Sequence, residues 1–180
     1  MIAKSKLPAS NLQERITIRP ITAEDLPGLE WDGLYLALRS VFRQTFEQMQ
    51  RGQRVMLIAA VGETIVGQVF VQLISSETEF ANGVDRGYVY ALRVRPEWQR
   101  QGLGTRLVVA AEAELHSRGF TTAVIAVGKE NVAARRLYER LGYRIFADDP
   151  GVWYFTDVNG VQQTVEEPCW VMEKVIADDR

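Results

Sequence analysis

The stretch Tyr88-Val-Tyr-Ala-Leu-Arg-Val-Arg-Pro-Glu-Trp-Gln-Arg-Gln-Gly-Leu-Gly-Thr105 constrains the fold more than any other part of the chain. It reads as a strand that stops at Pro96, followed by a turn carrying Gly102 and Gly104. The apolar run behind the turn predicts a helix over 103–117. A strand that feeds a Gly-x-Gly turn into a helix N-terminus is an anion-binding device. The first N–H groups of a helix have no intrahelical partner, and the macrodipole adds partial positive charge there. Neither glycine carries a side chain that would hold a phosphate oxygen away from those donors. Arg100 and Arg106 add charge beside the turn, which is therefore read as a seat for a pyrophosphate.

The flanking sequence predicts the elements around that seat. Residues 15–19 alternate charged or polar with apolar and read as a strand ended by Pro20. Thr22 stands as an N-cap before Glu24 and Asp25. Leu34, Leu38, Val41, Phe42, Phe46 and Met49 form a helical stripe over 34–50, stopped by Gly52. Residues 54–61 and 64–75 read as a hairpin about Gly62 and Glu63. Gly67, inside its second strand, predicts a bulge or a close backbone contact. Residues 76–86 form a polar loop turned by Asn82-Gly83. Beyond the central helix, capped by Gly119, come a buried strand over 121–127, a helix over 131–140 ended by Gly142, and a strand over 143–146. A loop over 148–151, an extended run over 152–155 and a turn over 157–160 precede a closing strand over 169–176, entered through Pro168. Strands alternating with helices predict an α/β protein with a mixed sheet and helices on its faces. No repeat, linker or low-complexity segment interrupts the chain, so residues 1–180 read as one domain with 1–13 as a loose tail.

Composition narrows the function classes. A formal net charge of -2 argues against a general nucleic-acid binder. The single cysteine, Cys169, excludes an internal disulfide and suits a reducing compartment. The N-terminus has no apolar signal core and the longest apolar run, 55–61, is too short to span a bilayer. A soluble, cytoplasmic protein without membrane partners is expected. A dinucleotide fingerprint would need a third glycine where Leu107 stands, and the Gly-Lys-Ser/Thr of a phosphate loop is missing.

Two motifs resemble the GNAT superfamily of acyl-CoA-dependent N-acetyltransferases. The first is Gln99-Arg-Gln-Gly102-Leu-Gly104, preceded by Leu92-Arg-Val94-Arg-Pro96. The second is Asn131-Val-Ala-Ala134-Arg-Arg-Leu137-Tyr138-Glu-Arg-Leu-Gly142-Tyr143. They lie at the family's separation with a strand between them. The resemblance implies a central twisted, mostly antiparallel sheet with a parallel pair splayed at the coenzyme A site. It implies acetyl-CoA as cosubstrate, no metal, and a small-molecule amine acceptor; it leaves a homodimer open.

By the same resemblance, the main chain of Arg100, Gln101, Gly102, Leu103, Gly104 and Thr105 holds the pyrophosphate. Leu92, Arg93 and Val94 pair with the pantetheine arm by main chain. One of their N–H groups, assigned to Leu92, polarises the thioester carbonyl. Asn131 hydrogen-bonds the arm, Arg135 reaches a phosphate, and Tyr138 protonates the departing thiolate. Bottom-up, Asn131 also reads as an N-cap and Tyr138 as a packing aromatic. Cys169 reads as a small strand residue, or as the carrier of an acyl intermediate that direct transfer does not need. His116, the only histidine, sits late in its helix where an imidazolium favours the dipole.

The chain departs from some relatives at the strand before the second motif. Near Ala126, where those relatives carry a glutamate base, the run 124–127 has no acid. Base candidates are Tyr90, Tyr88, Glu47, Glu79, Asp85 or a water chain. Trp31, Tyr35, Glu47 and Tyr88 lie on the acceptor side that the resemblance implies. Around them stand Glu30, Asp32, Glu77, Asp148, Asp149, Asp157, Glu166 and Glu167, an acidic lining that would draw a small cationic amine. The missing carboxylate base keeps an alternative open, a catalytically inactive CoA-binding sensor on the same fold.

Overall fold

The structure, a computed structural model, describes residues 16–177. The expected tail at 1–13 and the start of the first predicted strand lie outside these residues. A short strand β1 (Thr17–Pro20) leads into a 3-10 segment, Ala23–Glu30, and a second one, Leu36–Leu38. Helix α1 (Arg39–Gln50) and the strands β2 (Arg54–Val61), β3 (Thr64–Gln72) and β4 (Arg86–Val94) follow. After them come helix α2 (Leu103–Ser117), β5 (Thr122–Gly128), helix α3 (Val132–Arg140) and β6 (Arg144–Asp149). β7 (Val152–Thr156), β8 (Gln162–Glu166) and β9 (Cys169–Val175) close the chain.

Seven strands form one sheet in the order β1-β2-β3-β4-β5-β9-β6, and β7 with β8 forms a separate hairpin. The β4–β5 pair is parallel; the other pairs are antiparallel. This is the mixed sheet that the sequence predicts. β9 enters between β5 and β6 because its alternate apolar residues Val171 and Met172 face buried layers on the two sides of the sheet.

One face carries the larger core. Val66, Val69 and Val71 of β3, Val89 of β4 and Ile125 of β5 meet Leu107, Val108, Ala111 and Leu115 of α2, with Tyr138 of α3. Met56, Ile58 and Phe70 on the other face meet Ile21, Leu29 and Phe42. Helices thus cover both faces. Each fully buried Leu, Ile or Phe side chain contributes about 1.5–3 kcal/mol of transfer free energy, and the two faces together position everything between them.

Three expectations are corrected. The predicted helix over 34–50 starts late: residues 31–35 are turn, and α-helix begins at Arg39. Ahead of it the backbone is left-handed at Trp31 and Asp32 (φ 46 and 58°) and at Gly33 (95°), and Leu36–Leu38 winds as 3-10 before the α-helix starts. The capped start at Thr22 is present, but the segment it opens is 3-10 and contains Pro27. There the Asp25 carboxylate accepts from the Thr22 N–H at 2.8 Å and binds Arg19 at 2.6 Å. The Arg19 bonds are the main reason the Asp25 carboxyl is pulled down to about 2. Strand β8 was not predicted, because Gln162–Glu166 is mostly polar and exposed and has no apolar alternation for a period-two reading.

Gly67 meets its expectation. The β2–β3 register shifts beside it, and a Cβ there would lie 3.2 Å from the Arg93 carbonyl oxygen and 3.0 Å from Leu107 Cδ1. No helix among the described residues is long and apolar enough to cross a membrane.

Candidate active site

The parallel pair parts partway along. β4 pairs with β5 only from Arg86–Thr122 to Val89–Ile125. Beyond that point β4 continues to Val94 against β3, and β5 continues to Gly128 against β9. The two inner edges therefore separate and leave main-chain donors and acceptors of β4 facing the gap. The split coincides with a bulge: Gln68 pairs with Arg93 and Phe70 with Tyr90, so β4 holds one residue more than β3 there. Ala91 takes the extra turn at φ 52°.

Both helices that follow these strands start at the open end of the gap. At the end of β4, Arg100 (φ 59°) and Gly102 (φ 81°) are left-handed and wind the chain into α2. Gly102 is the N-cap and no side chain caps the helix. The first helical bond is Arg106 N–H to the Gly102 carbonyl at 3.1 Å. The N–H groups of Leu103, Gly104 and Thr105 thus precede any intrahelical acceptor. Nothing lies within 4 Å of a Cβ built on Gly102, so the approach is open. Gln99 and Gln101 brace the turn, donating to the Val94 and Glu97 carbonyls at 2.9 and 3.0 Å. At the end of β5, Asn131 Oδ1 caps α3 by accepting from the Ala134 N–H at 3.1 Å. The cap uses Oδ1 alone and leaves the Nδ2 protons to donate elsewhere.

Leu137 of α3 lies against Gly104 of α2, where a Cβ would be 3.4 Å from Leu137 Cδ2. One residue on, Tyr138 points into the core at 5% exposure, and burial raises its phenol to about 12. Arg135 is engaged along the helix, with Nε 2.8 Å from Glu139 Oε1.

The α1 side of the gap is aromatic. Tyr88 stacks on Tyr90 with centroids 5.5 Å apart and planes at 12°, and Phe80 meets Tyr88 edge-on. Burial pushes the Tyr88 phenol well above its ordinary value; the charges of Cys169, Tyr90, Tyr138 and Asp149 push the same way.

The Tyr90 hydroxyl accepts from Arg54 Nη1 at 2.5 Å. Burial outweighs the opposing pull of Arg54 and raises this phenol as well. Neutral phenols with raised pKa values are poor proton acceptors near pH 7. The Cys169 thiol donates to the Glu167 carbonyl at 2.8 Å, and burial lifts it to about 11, so it stays protonated and weakly nucleophilic.

Part of the acidic lining is tied up in ion pairs and turns. Glu30 binds Arg39 at 2.6 Å, Asp32 binds Arg95 at 3.0 Å and Asp148 binds Lys129 at 3.1 Å. Asp85 accepts from Asn82, and Asp157 caps its own turn. Glu47, Glu79 and Glu166 are exposed. Trp31 and Tyr35 lie over β4: Arg93 sits 4.3 Å above the Tyr35 ring and Arg95 5.3 Å from the Trp31 ring.

Sequence reasoning missed Arg54, Gln68 and the side chain of Arg93. Gln68 was detectable as the one long polar side chain inside the apolar run 65–71. Arg54 and Gln72 also line a cleft of about 400 Å³ with Gln48, Gln53, Ser75 and Ser76. It borders the tyrosine pair through the Arg54–Tyr90 bond and the Gln72–Tyr88 register.

The sequence model of the Acetyltransferase (GNAT) family matches residues 21–143. A mycothiol acetyltransferase of Thermobispora bispora is 32% identical over 152 residues, 76% of this chain and 49% of that protein. The chain thus spans about half the length of that curated relative. Among solved structures, the ribosomal-protein-S18-alanine N-acetyltransferase of Escherichia coli superposes with a TM-score of 0.66 at 21% identity, covering 92% of this chain and 96% of that one. YncA of Salmonella typhimurium, a putative acetyltransferase solved with its cofactor acetyl-CoA, gives 0.68 at 18% identity with the same coverage.

Proposed function

The chain belongs to the acetyltransferase (GNAT) family, and from that premise we propose that it moves an acetyl group from acetyl-CoA to a primary amine. The amine attacks the thioester directly in a ternary complex. The observation that carries the reading is the parting of β4 from β5 after Val89 and Ile125, with two helix N-termini at its open end. The residues fit the cosubstrate. An uncapped α2 N-terminus, reached past a glycine with open space around it, suits a pyrophosphate. In this assignment the donors are the N–H groups of Arg100 through Thr105. The freed edge of β4 at Leu92, Arg93 and Val94 receives the amide-bearing pantetheine arm as a further strand would. Asn131 Nδ2 donates to that arm.

Each chemical task then falls to a group already placed. The Leu92 N–H, at the bulge, aims at the thioester oxygen and stabilises the negative charge that grows there; one such donor is worth about 100- to 1,000-fold in rate. Tyr138, kept protonated by burial, donates its phenolic proton to the leaving sulfur. The amine must shed a proton before attack. Raised tyrosines and a protonated thiol disfavour a side-chain base, so water in the cleft beside Arg54 and Gln72 carries the proton to solvent. Tyr90, fixed by Arg54, serves as a wall rather than as the base. The acceptor is a small amine that arrives as its cation, drawn by acids without an ion-pair partner among the described residues, Glu47 among them.

A thermal-shift screen followed by thiol release tests the reading. Stabilisation by acetyl-CoA but not by NAD or ATP is expected, and then thiol release that depends on an added amine. Stabilisation without thiol release from any amine would make the chain a coenzyme A sensor instead.

A further inference from the structure

Three buried polar atoms on the α1 face have no hydrogen-bond partner among the described residues: Trp31 Nε1, Gln68 Oε1 and Arg93 Nη1. They belong to one place. Gln68 and Arg93 oppose each other in the β3–β4 ladder. Arg93 lies on the Tyr35 ring, and Trp31 meets that ring edge-on with centroids 5.2 Å apart. Gln68 is 0% exposed and Trp31 6%. Arg93 makes no ion pair among the described residues. Native proteins rarely leave buried donors and acceptors unpaired, so three of them in one place call for an explanation.

The cluster sits beside the reacting centre. The bulge at Ala91 puts Tyr90 and Arg93 on the same face, to either side of Leu92. It is covered by residues 31–35, whose left-handed Trp31 and Asp32 are held down by Arg95 through an ion pair and a ring contact. Asp32 is 88% exposed in that pair, so the ion pair is weak and residues 32–35 can move while Trp31, 6% exposed, stays seated.

We propose that these three residues form an acceptor subsite for a carbonyl or carboxylate oxygen carried by the amine itself. Trp31 Nε1 and Arg93 Nη1 donate to that oxygen, and Gln68 Oε1 accepts an N–H of the same molecule. The substrate class is an aminoacyl amine: an amino acid, its amide or a peptide N-terminus. The inference rests on the acetyl-transfer reading above and names the acceptor for it. A plain alkylamine leaves all three atoms unpaired and is selected against, as sites built for hydrogen bonds reject analogues that lack them.

The test is thiol release with alanine, alaninamide and dialanine, each compared with isopropylamine. The wild-type protein should favour at least one aminoacyl acceptor over isopropylamine by on the order of 10- to 100-fold in kcat/KM. The three arms tell carboxylate from amide recognition. Arg93→Met, which keeps the aliphatic stem on Tyr35, and Gln68→Leu should each collapse that ratio, and Arg93→Lys should restore part of it. Gln68→Leu also loses the bond from Gln68 Nε2 to the Ala91 carbonyl, so the melting temperature is read in Arg93→Met, where removing an unpaired buried donor should raise it. A purely structural role would lower it and keep the ratio. A wild-type ratio near one, or a ratio unmoved in both variants, overturns the inference while leaving acetyl transfer standing. No thiol release from any amine, with acetyl-CoA still stabilising the fold, overturns both.

Discussion

Replacing Gly102 by Asp separates binding of the cosubstrate from folding. Gly102 is the N-cap of α2 with φ 81°, and a Cβ there meets nothing within 4 Å. The steric cost is therefore small and the backbone cost is that of a non-glycine left-handed residue, about 1–2 kcal/mol. Asp tolerates this conformation better than most residues, so the fold should survive. The new carboxylate would stand where the pyrophosphate is proposed to lie. Two unit charges at roughly 4 Å and an effective dielectric of about 20 repel by about 4 kcal/mol. That corresponds to a loss of about 1,000-fold in affinity. Acetyl-CoA at roughly 100 times its Kd stabilises the native state by about 2.7 kcal/mol. In a chain of this size that shift amounts to about 5–10 °C in Tm. The assay is the Tm with and without acetyl-CoA for wild type, Gly102→Asp and Gly102→Ala. Gly102→Asp should lose the whole ligand shift, while Gly102→Ala, with at least the same backbone penalty and no charge, keeps part of it. A full shift in Gly102→Asp would refute the placement of the phosphates at the α2 N-terminus.

Tyr138→Phe should lower kcat by roughly 100-fold or more with little change in acetyl-CoA affinity, read by single-turnover thiol release; unchanged turnover would remove Tyr138 from the acid role. The same residue gives a pH signature. Its phenol is raised from 10.0 to about 12 in the fold, so above pH 10 the unfolded chain releases the proton first and stability falls as pH rises. Full ionisation through the folded value costs about 2–3 kcal/mol. Denaturant midpoints between pH 9 and 12 (roughly the span of both values) should therefore fall less steeply in Tyr138→Phe. Gly67→Ala, which presses a methyl on the Arg93 carbonyl and on Leu107, should destabilise by about 1–3 kcal/mol. It should also reduce kcat, because the displaced atoms belong to β4 beside the bulge. Urea melts and steady-state rates check both effects.

Much of the site could be read from local pattern. A Gly-x-Gly turn at a strand end and an Asn-capped amphipathic helix are short-range features, and the structure shows α2 over the predicted residues and Asn131 at the N-cap of α3. The missing acid near Ala126 was equally plain. The period-two reading failed for β8, whose polar residues bury too little to leave a pattern. The helical stripe from Leu34 was misleading because residues 31–35 form a turn, with left-handed Trp31 and Asp32 held by Arg95, and the chain reaches α-helix only at Arg39.

By itself, then, the sequence determined most of the elements, the family and the glycine turn that opens α2, since these rest on short-range patterns. Only the tertiary structure decided what stands opposite what. It set the point where β4 leaves β5, tied Glu30, Asp32 and Asp148 to Arg39, Arg95 and Lys129, and closed Tyr90 with Arg54. It also brought Trp31, Gln68 and Arg93 together unpaired. These are matters of which charges and hydrogen-bonding groups lose water beside one another. That depends on strand register and on the packing of the two faces, neither of which a linear pattern carries.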